Sequence, residues 1–175
     1  MQSTLVMTVI GPDRPGLVES VATLVAMNGG NWLESRMSRL GGQFAGVLRI
    51  QIPAKQVGVL TQALRALDRN GVSVVIHRDE AVPKPGGTLQ VLEFVGQDRP
   101  GIVHQITHTL ASHNVNVEQL DSECMSAAMS GETLFKATAK VMIPPDCNRA
   151  ALKPDLEKIA ADLIVEITIQ EVKPE

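Results

Sequence analysis

The sequence is poor in aromatic residues: Trp32, Phe44, Phe94 and Phe135 are all it has, and tyrosine is missing. Stacking platforms for single-stranded nucleic acid need several aromatic rings close together on one surface, so that function class is excluded. Basic excess is also lacking. Sixteen Lys and Arg stand against nineteen Asp and Glu, giving a formal net charge of −3 and a pI near 5.8, which argues against gripping phosphate backbones by charge. Two cysteines, Cys124 and Cys147, are too few and too irregularly placed for a disulfide framework or a zinc site, and read as buried or incidental thiols. No apolar run approaches the roughly 20 residues of a membrane-spanning helix. The first residues, MQSTLVMTVIGPDRPG, show neither a basic leader region nor a small-residue cleavage site and read as a strand, so the expected location is the cytoplasm.

With 44% hydrophobic and 20% charged residues among 175, the composition is that of a soluble globular protein with room for one ordinary domain or two small ones. A repeat decides between them. GPDRPG at residues 11–16 returns as GQDRPG at 96–101. The same spacing of 85 carries Leu17-Val18 onto Ile102-Val103 and Asn31 onto Asn116. Further on the spacing grows by six, so that Ile52-Pro53 meets Ile143-Pro144. The extra residues fall in SECMSAAMSGE, which reads as a longer hairpin loop in the second copy. A duplicated unit of about 80 residues accounts for the pattern, with domains at 1–80 and 88–175. Residues 81–87, within the Pro- and Gly-interrupted EAVPKPGGT, form the linker.

Each copy has the same element order. STLVMTVI and TLQVLEFV are short β-rich runs ending at glycine. After DRPG, Leu17, Val18, Val21, Leu24 and Val25 share a helical face, as do Ile102, Val103, Ile106 and Leu110. Pro15 and Pro100 suit a first helical turn. NWLESRMSRL and QFAGVLRIQIP are joined by Gly41-Gly42, a hairpin signal. A second helix follows with Val57, Leu60, Leu64 and Leu67 in phase. Its counterpart carries Leu152, Leu156 and Ile159, with Pro154 expected to shorten or delay it. VSVVIH and LIVEITIQEV close the units. The order β-α-β-β-α-β, twice, predicts an α+β ferredoxin-like sandwich with helices on one face of each antiparallel sheet. Val74, Ile76, Val165, Ile167 and Ile169 keep the closing strands apolar, which predicts covering of the second sheet face by domain or dimer contacts.

This pattern, with D-R-P-G between first strand and first helix and an Asn opening the second strand, resembles the ACT domain. The whole chain is similar to tandem ACT proteins, and among them to the glycine cleavage system transcriptional repressor family, which lacks a DNA-binding domain. The resemblance implies amino-acid binding near the first strand-to-helix loop, at interfaces between paired domains. In the serine-sensing dehydrogenases of the superfamily, polar residues at the loop's third position and at the start of the second strand hold the ligand. Those positions here are Asp13 with Asn31, and Asp98 with Asn116. The family's His at the loop's first position is replaced by Gly11 and Gly96. The resemblance further implies control of glycine cleavage genes through a protein partner such as a LysR-type activator, a homodimer, and a non-enzymatic role.

Elementary chemistry points to the same loops. N–H groups at a helix start, aided by the macrodipole, can hold a carboxylate, and Gly16 and Gly101 let a ligand approach the backbone. Asp13, Asp98, Arg14 and Arg99 supply charge, and Asn31 and Asn116 supply both donors and acceptors. Glycine or serine is the ligand size that such bare sites suit. A second account needs no ligand: Asp caps, Pro presets φ, and Gly permits the bend.

Other chemistry is weakly represented. His104 and His108 lie one turn apart, opposite Ile102, Ile106 and Leu110, on the wet face, with no third ligand nearby, so no metal is expected. Ser126 and Ser130 lack a nucleophile elbow, and Asp13 and Asp98 belong to different copies, so no catalytic residue and no cofactor is expected. RNA-recognition modules share the strand order but stack bases on central-strand aromatics, and only Phe44 and Phe135 are available. Two other classes stay open: an allosteric accessory subunit of an amino-acid enzyme, and a structural interaction module with a vestigial site.

Overall fold

The computed structural model describes residues 1–79, 86–126 and 132–171. These fall into two compact units, one on either side of residues 80–85. The expected linker lies mostly outside the described residues, as do residues 127–131 of the expected long hairpin loop, Ser130 included; residues 122–126 of that stretch are strand and not loop.

The first unit runs β1 (Gln2–Pro12), α1 (Leu17–Met27), β2 (Asn31–Leu40), β3 (Gln43–Pro53), α2 (Val57–Arg65) and β4 (Ser73–Arg78), with short 3-10 turns at Ala54–Gln56 and Ala66–Asn70. The second runs β5 (Thr88–Gln97), α3 (Ile102–Ser112), β6 (Asn116–Ser126), β7 (Thr133–Ile143), α4 (Arg149–Leu163) and β8 (Val165–Glu171). Both sheets are antiparallel, in the order β2-β3-β1-β4 and β6-β7-β5-β8. Each unit is the α+β ferredoxin-like sandwich that the element order predicts.

Alternation along the strands sends one face of each sheet into the core. Leu5, Met7 and Val9 on β1 and Leu48, Ile50 and Ile52 on β3 are buried with Leu17, Val21 and Val25 of α1 and Leu60 and Leu64 of α2. Leu92, Phe94, Ile102, Ile106, Leu110, Val141, Leu152 and Leu156 repeat the arrangement in the second unit. Val18, placed on the buried face of α1 by periodicity, is exposed instead, because the core-facing stripe is centred on Leu17, Val21 and Val25, with Leu24 partly buried at its edge.

The closing strands differ from expectation. Val74, Ile76, Val165, Ile167 and Ile169 pack into the same cores as the helices. Their apolar character belongs to the inner face and says nothing about the outer one. On the first sheet the outward apolar residues include Ile10, Val47 and Val75, each about half exposed, on three neighbouring strands.

The hairpin signal at Gly41-Gly42 is met by φ of 58° and 78° at the two glycines, the paired positive values of a tight two-residue turn. A β-bulge follows the start of the second strand in both copies, between Trp32 and Glu34 and between Val117 and Gln119. Pro154 neither delays nor ends α4, which starts at Arg149 and contains it. Asn148 caps this helix by accepting from the Ala151 N–H at 3.2 Å, and burial of Leu152 and Leu156 on either side of the proline holds the helix across it.

Candidate functional site

The loop between first strand and first helix has the same backbone in both copies. Gly16 sits at φ 86°, ψ −1° and Gly101 at φ 94°, ψ −2°. These are the angles of the third residue of a type II turn, with Pro15 or Pro100 in the second place where proline is favoured. The Leu17 N–H donates to the Arg14 carbonyl at 3.4 Å, closing the turn. The prolines therefore precede the helices and do not occupy their first turn. The helices begin with the glycine carbonyls, which accept from Ser20 and Gln105 at 2.9 and 3.0 Å.

Neither helix has a side-chain cap. The capping role considered for the aspartates is not what they do. The Asp13 carboxylate instead accepts from Arg39 Nε at 2.6 Å, an ion pair reaching from the end of β1 to the end of β2. Its backbone N–H donates to the Gly42 carbonyl at 2.9 Å. Arg14 donates to the Asn70 carbonyl at 3.2 Å, and Arg99 to Gln97 Oε1 at 3.0 Å. Among the described residues, the Asp98 side chain has no such partner.

Register explains the difference between the aspartates. Arg39 faces Phe44 on β3, and Phe44 faces Gly11 on β1. In the second copy the same row is Cys124, Phe135 and Gly96. An exposed cysteine stands where the first copy has its arginine. The helix starts differ as well. A β-carbon on Gly16 would lie 3.7 Å from Glu19 Oε2, and one on Gly101 would lie 3.8 Å from Gln105 Nε2. The first helix start thus already holds a carboxylate, whereas the first turn of α3 has no acidic residue.

The glycines at the head of each loop have a structural reason. A β-carbon on Gly96 would stand 2.6 Å from the Ile164 carbonyl oxygen and 2.5 Å from Val165 Cγ1; one on Gly11 would stand 3.1 Å from the Gly71 carbonyl oxygen. Ile164 and Gly71 both sit in the left-handed region, at φ 56° and 77°, as the residues that end the second helical segment of each unit. Their carbonyls lean onto the loop glycine. At Gly96 the place of a β-carbon is taken by backbone and Val165, and at Gly11 it is tightly flanked by Gly71, Val72 and Leu17.

The asparagines are elsewhere. Asn31 is in register with Gln51 and through it with Thr4, nine residues before Asp13 on β1. Asn116 is in register with Met142 and through it with Leu89, nine residues before Asp98. At about 3.3 Å per residue the separation is roughly 30 Å. Within one copy, then, Asp13 and Asn31 are not brought together, nor are Asp98 and Asn116. The reason is topological: the helix returns the chain along the sheet before the second strand starts. Asn116 also donates through Nδ2 to Glu118 Oε1 at 2.8 Å, across the bulge.

His104 and His108 are exposed, with ring centroids 6.0 Å apart. Among the described residues no group of three His, Cys, Asp or Glu side chains is placed to hold a metal ion. No helix among them is long and apolar enough to cross a membrane.

With this geometry in place, comparison with known proteins is specific. Residues 3–77 and residues 90–135 each match the ACT domain family. The glycine cleavage system transcriptional repressor of Escherichia coli K12 is 27% identical over 129 residues, covering 72% of this chain and 67% of the relative. A UPF0237 protein of Methanopyrus kandleri is 31% identical over 84 residues, 47% of this chain and 87% of the relative. The crystal structure of an unknown protein from Galdieria sulphuraria superposes with a TM-score of 0.88 at 28% identity, over 99% of this chain and 100% of that one. A solved structure provisionally assigned as a glycine cleavage system transcriptional repressor shares the fold, with a TM-score of 0.73 at 20% identity over 99% of both chains.

Proposed function

The chain belongs to the ACT domain family, with one copy of the domain in each half, and on that premise we propose that it is a non-enzymatic regulator that senses a small amino acid. Glycine is the first candidate, and the output is altered transcription of glycine cleavage genes through a protein partner such as a LysR-type activator. The observation that carries the reading is the twice-built turn: an uncapped helix start behind a glycine in the left-handed region, with an aspartate and an arginine beside it. Such a turn presents N–H donors to a carboxylate and a carboxylate to an ammonium group. The 27% identity to the Escherichia coli repressor supports the regulatory role.

Of the two loops, the second is the better ligand site. Asp98 has no partner among the described residues, and no first-turn acid competes for an incoming carboxylate. Asp13 is engaged by Arg39, and Glu19 lies against the first helix start. Asp98, Arg99 and Gly101 would therefore make the primary contacts, with Asp13, Arg14 and Gly16 as the weaker pair member. Asn31 and Asn116 would contribute only to a ligand held against another ACT domain's loop, since each lies about 30 Å from its own.

Calorimetric titration of the full chain across the amino acids tests this reading. Saturable binding of glycine or serine, lost in Asp98→Ala and Gly101→Val and largely kept in Asp13→Ala, is the expected result. Absence of binding by every amino acid at millimolar levels would sink the sensor reading.

A further inference from the structure

The exposed face of α3 carries two imidazoles, His104 and His108, and side chains four residues apart on a helix are neighbours. Their ring centroids lie 6.0 Å apart with the planes inclined by 32°. Among the described residues neither ring makes a hydrogen bond or an ion pair, so their ring nitrogens face solvent. The other histidines are placed differently: His113 is held by Asp155 at 2.9 Å, and His77 stands on β4.

Two rings can share one metal ion only within a limited span. A metal–nitrogen bond of about 2.0–2.1 Å puts the ion roughly 3.2 Å from each ring centroid, so the centroids stand about 4.5 Å apart at a right angle and at most about 6.4 Å apart in line. The observed 6.0 Å falls inside that span, and exposure leaves both rings free to turn towards the tighter angle. No lysine or arginine on α3 opposes a cation there.

The fold does not call for either ring. At the repeat spacing of 85, Glu19 and Thr23 of α1 occupy the same two places, and both are exposed. The histidine pair is an addition to the second unit.

Three or four side chains make a catalytic or structural zinc centre, and this pair is not one. It is a two-point chelate, open to solvent, whose remaining positions water would complete. Imidazole nitrogens without thiolate or carboxylate select borderline divalent ions over hard oxygen-seeking ones, and copper(II) above its first-row neighbours. We propose that His104 and His108 bind one divalent transition-metal ion, copper(II) most tightly and nickel(II) and zinc(II) less so. The chelate closes only when the first two turns of α3 are helical, so the ion clamps the helix that starts at the Gly101 turn. This site stands or falls independently of amino-acid binding at the turns.

Calorimetric titration of the full chain with nickel chloride, in a buffer that does not itself coordinate metal, tests the assignment. One ion per chain is expected, weakened about tenfold or more in His104→Gln and similarly in His108→Gln, because either change leaves a one-point hold. His77→Gln and Cys124→Ser should leave the affinity unaltered, and thermal melts without metal establish that all variants are folded. Saturating nickel should raise the melting temperature of the parent chain and not that of His104→Gln. Cys124→Ser removes an exposed thiol that copper(II) would oxidise, and in that chain copper chloride should bind more tightly than nickel chloride. The proposal is overturned by the absence of a saturable nickel site, by single variants that bind nickel as tightly as the parent, by a melting temperature that nickel does not raise, by copper binding more weakly than nickel, or by magnesium chloride competing for the site.

Discussion

Arg39 grips Asp13 at 2.6 Å, while the matching position beside Asp98 is held by Cys124. Two loops with one backbone thus differ in electrostatic state: one aspartate is neutralised by a neighbour, the other is not. Arg39 is largely exposed, so the pair contributes little to stability, on the order of 0–1 kcal/mol. Its effect is on availability. Arg39→Ala is expected to leave the melting temperature nearly unchanged and to tighten amino-acid binding at the first loop, measured by calorimetry in an Asp98→Ala background. Weaker binding in that variant would mean that Arg39 itself contacts the ligand.

The turn glycines carry a backbone requirement that is independent of any ligand. Gly16 and Gly101 lie at φ 86° and 94°, where a β-carbon costs about 1–2 kcal/mol. Gly16→Ala and Gly101→Ala should each lower stability by that amount in urea denaturation, while space around the added methyl is ample. A loss far larger would point to packing that the turn geometry does not account for.

At the head of the loops the two copies should respond unequally. The β-carbon of Gly96→Ala meets backbone and Val165 at 2.5–2.6 Å, whereas that of Gly11→Ala meets its neighbours at 3.1 Å or more. Overpacking of this kind costs about 1–3 kcal/mol, so Gly96→Ala should be the more destabilising, read from the denaturation midpoint. Histidine at Gly96 should be no better tolerated than alanine, since it carries the same β-carbon into the same contact.

Ile164 offers the opposite test. It is a β-branched residue at φ 56° and is 63% exposed, so it gains little burial for its strained backbone. Its structural counterpart is Gly71. Ile164→Gly is expected to raise stability by about 1 kcal/mol, seen as a higher thermal midpoint with an unaltered circular dichroism spectrum.

Much of this was readable in the residues. The duplication, the strand and helix order and the hairpin at Gly41-Gly42 all follow from apolar period and from glycine and proline placement. What one-dimensional patterns miss is which partner a face meets. Val74 and Ile169 are apolar for the helix side of the sheet, and only the strand order makes that visible. Pro154 reads as a breaker by propensity, yet a capped helix with buried leucines on both sides tolerates it. In the candidate site, the turn and its charges were legible but the pairing with the asparagines was not. A helix lies between Asp13 and Asn31, and its length returns the chain to the far end of the sheet. The Arg39 contact depends on register across three strands, of which equal spacing in the two copies carries no trace.

The distance between each aspartate and its own asparagine has a consequence for dose response. A molecule as small as glycine cannot touch residues about 30 Å apart, so if both kinds of residue grip it, the grip spans two sheets brought face to face or side by side. When those sheets come from separate chains, occupancy depends on how much protein is present as well as how much amino acid. Diluting the protein would then shift the titration midpoint, a mass-action signature that a site built from Asp98, Arg99 and Gly101 alone would not show.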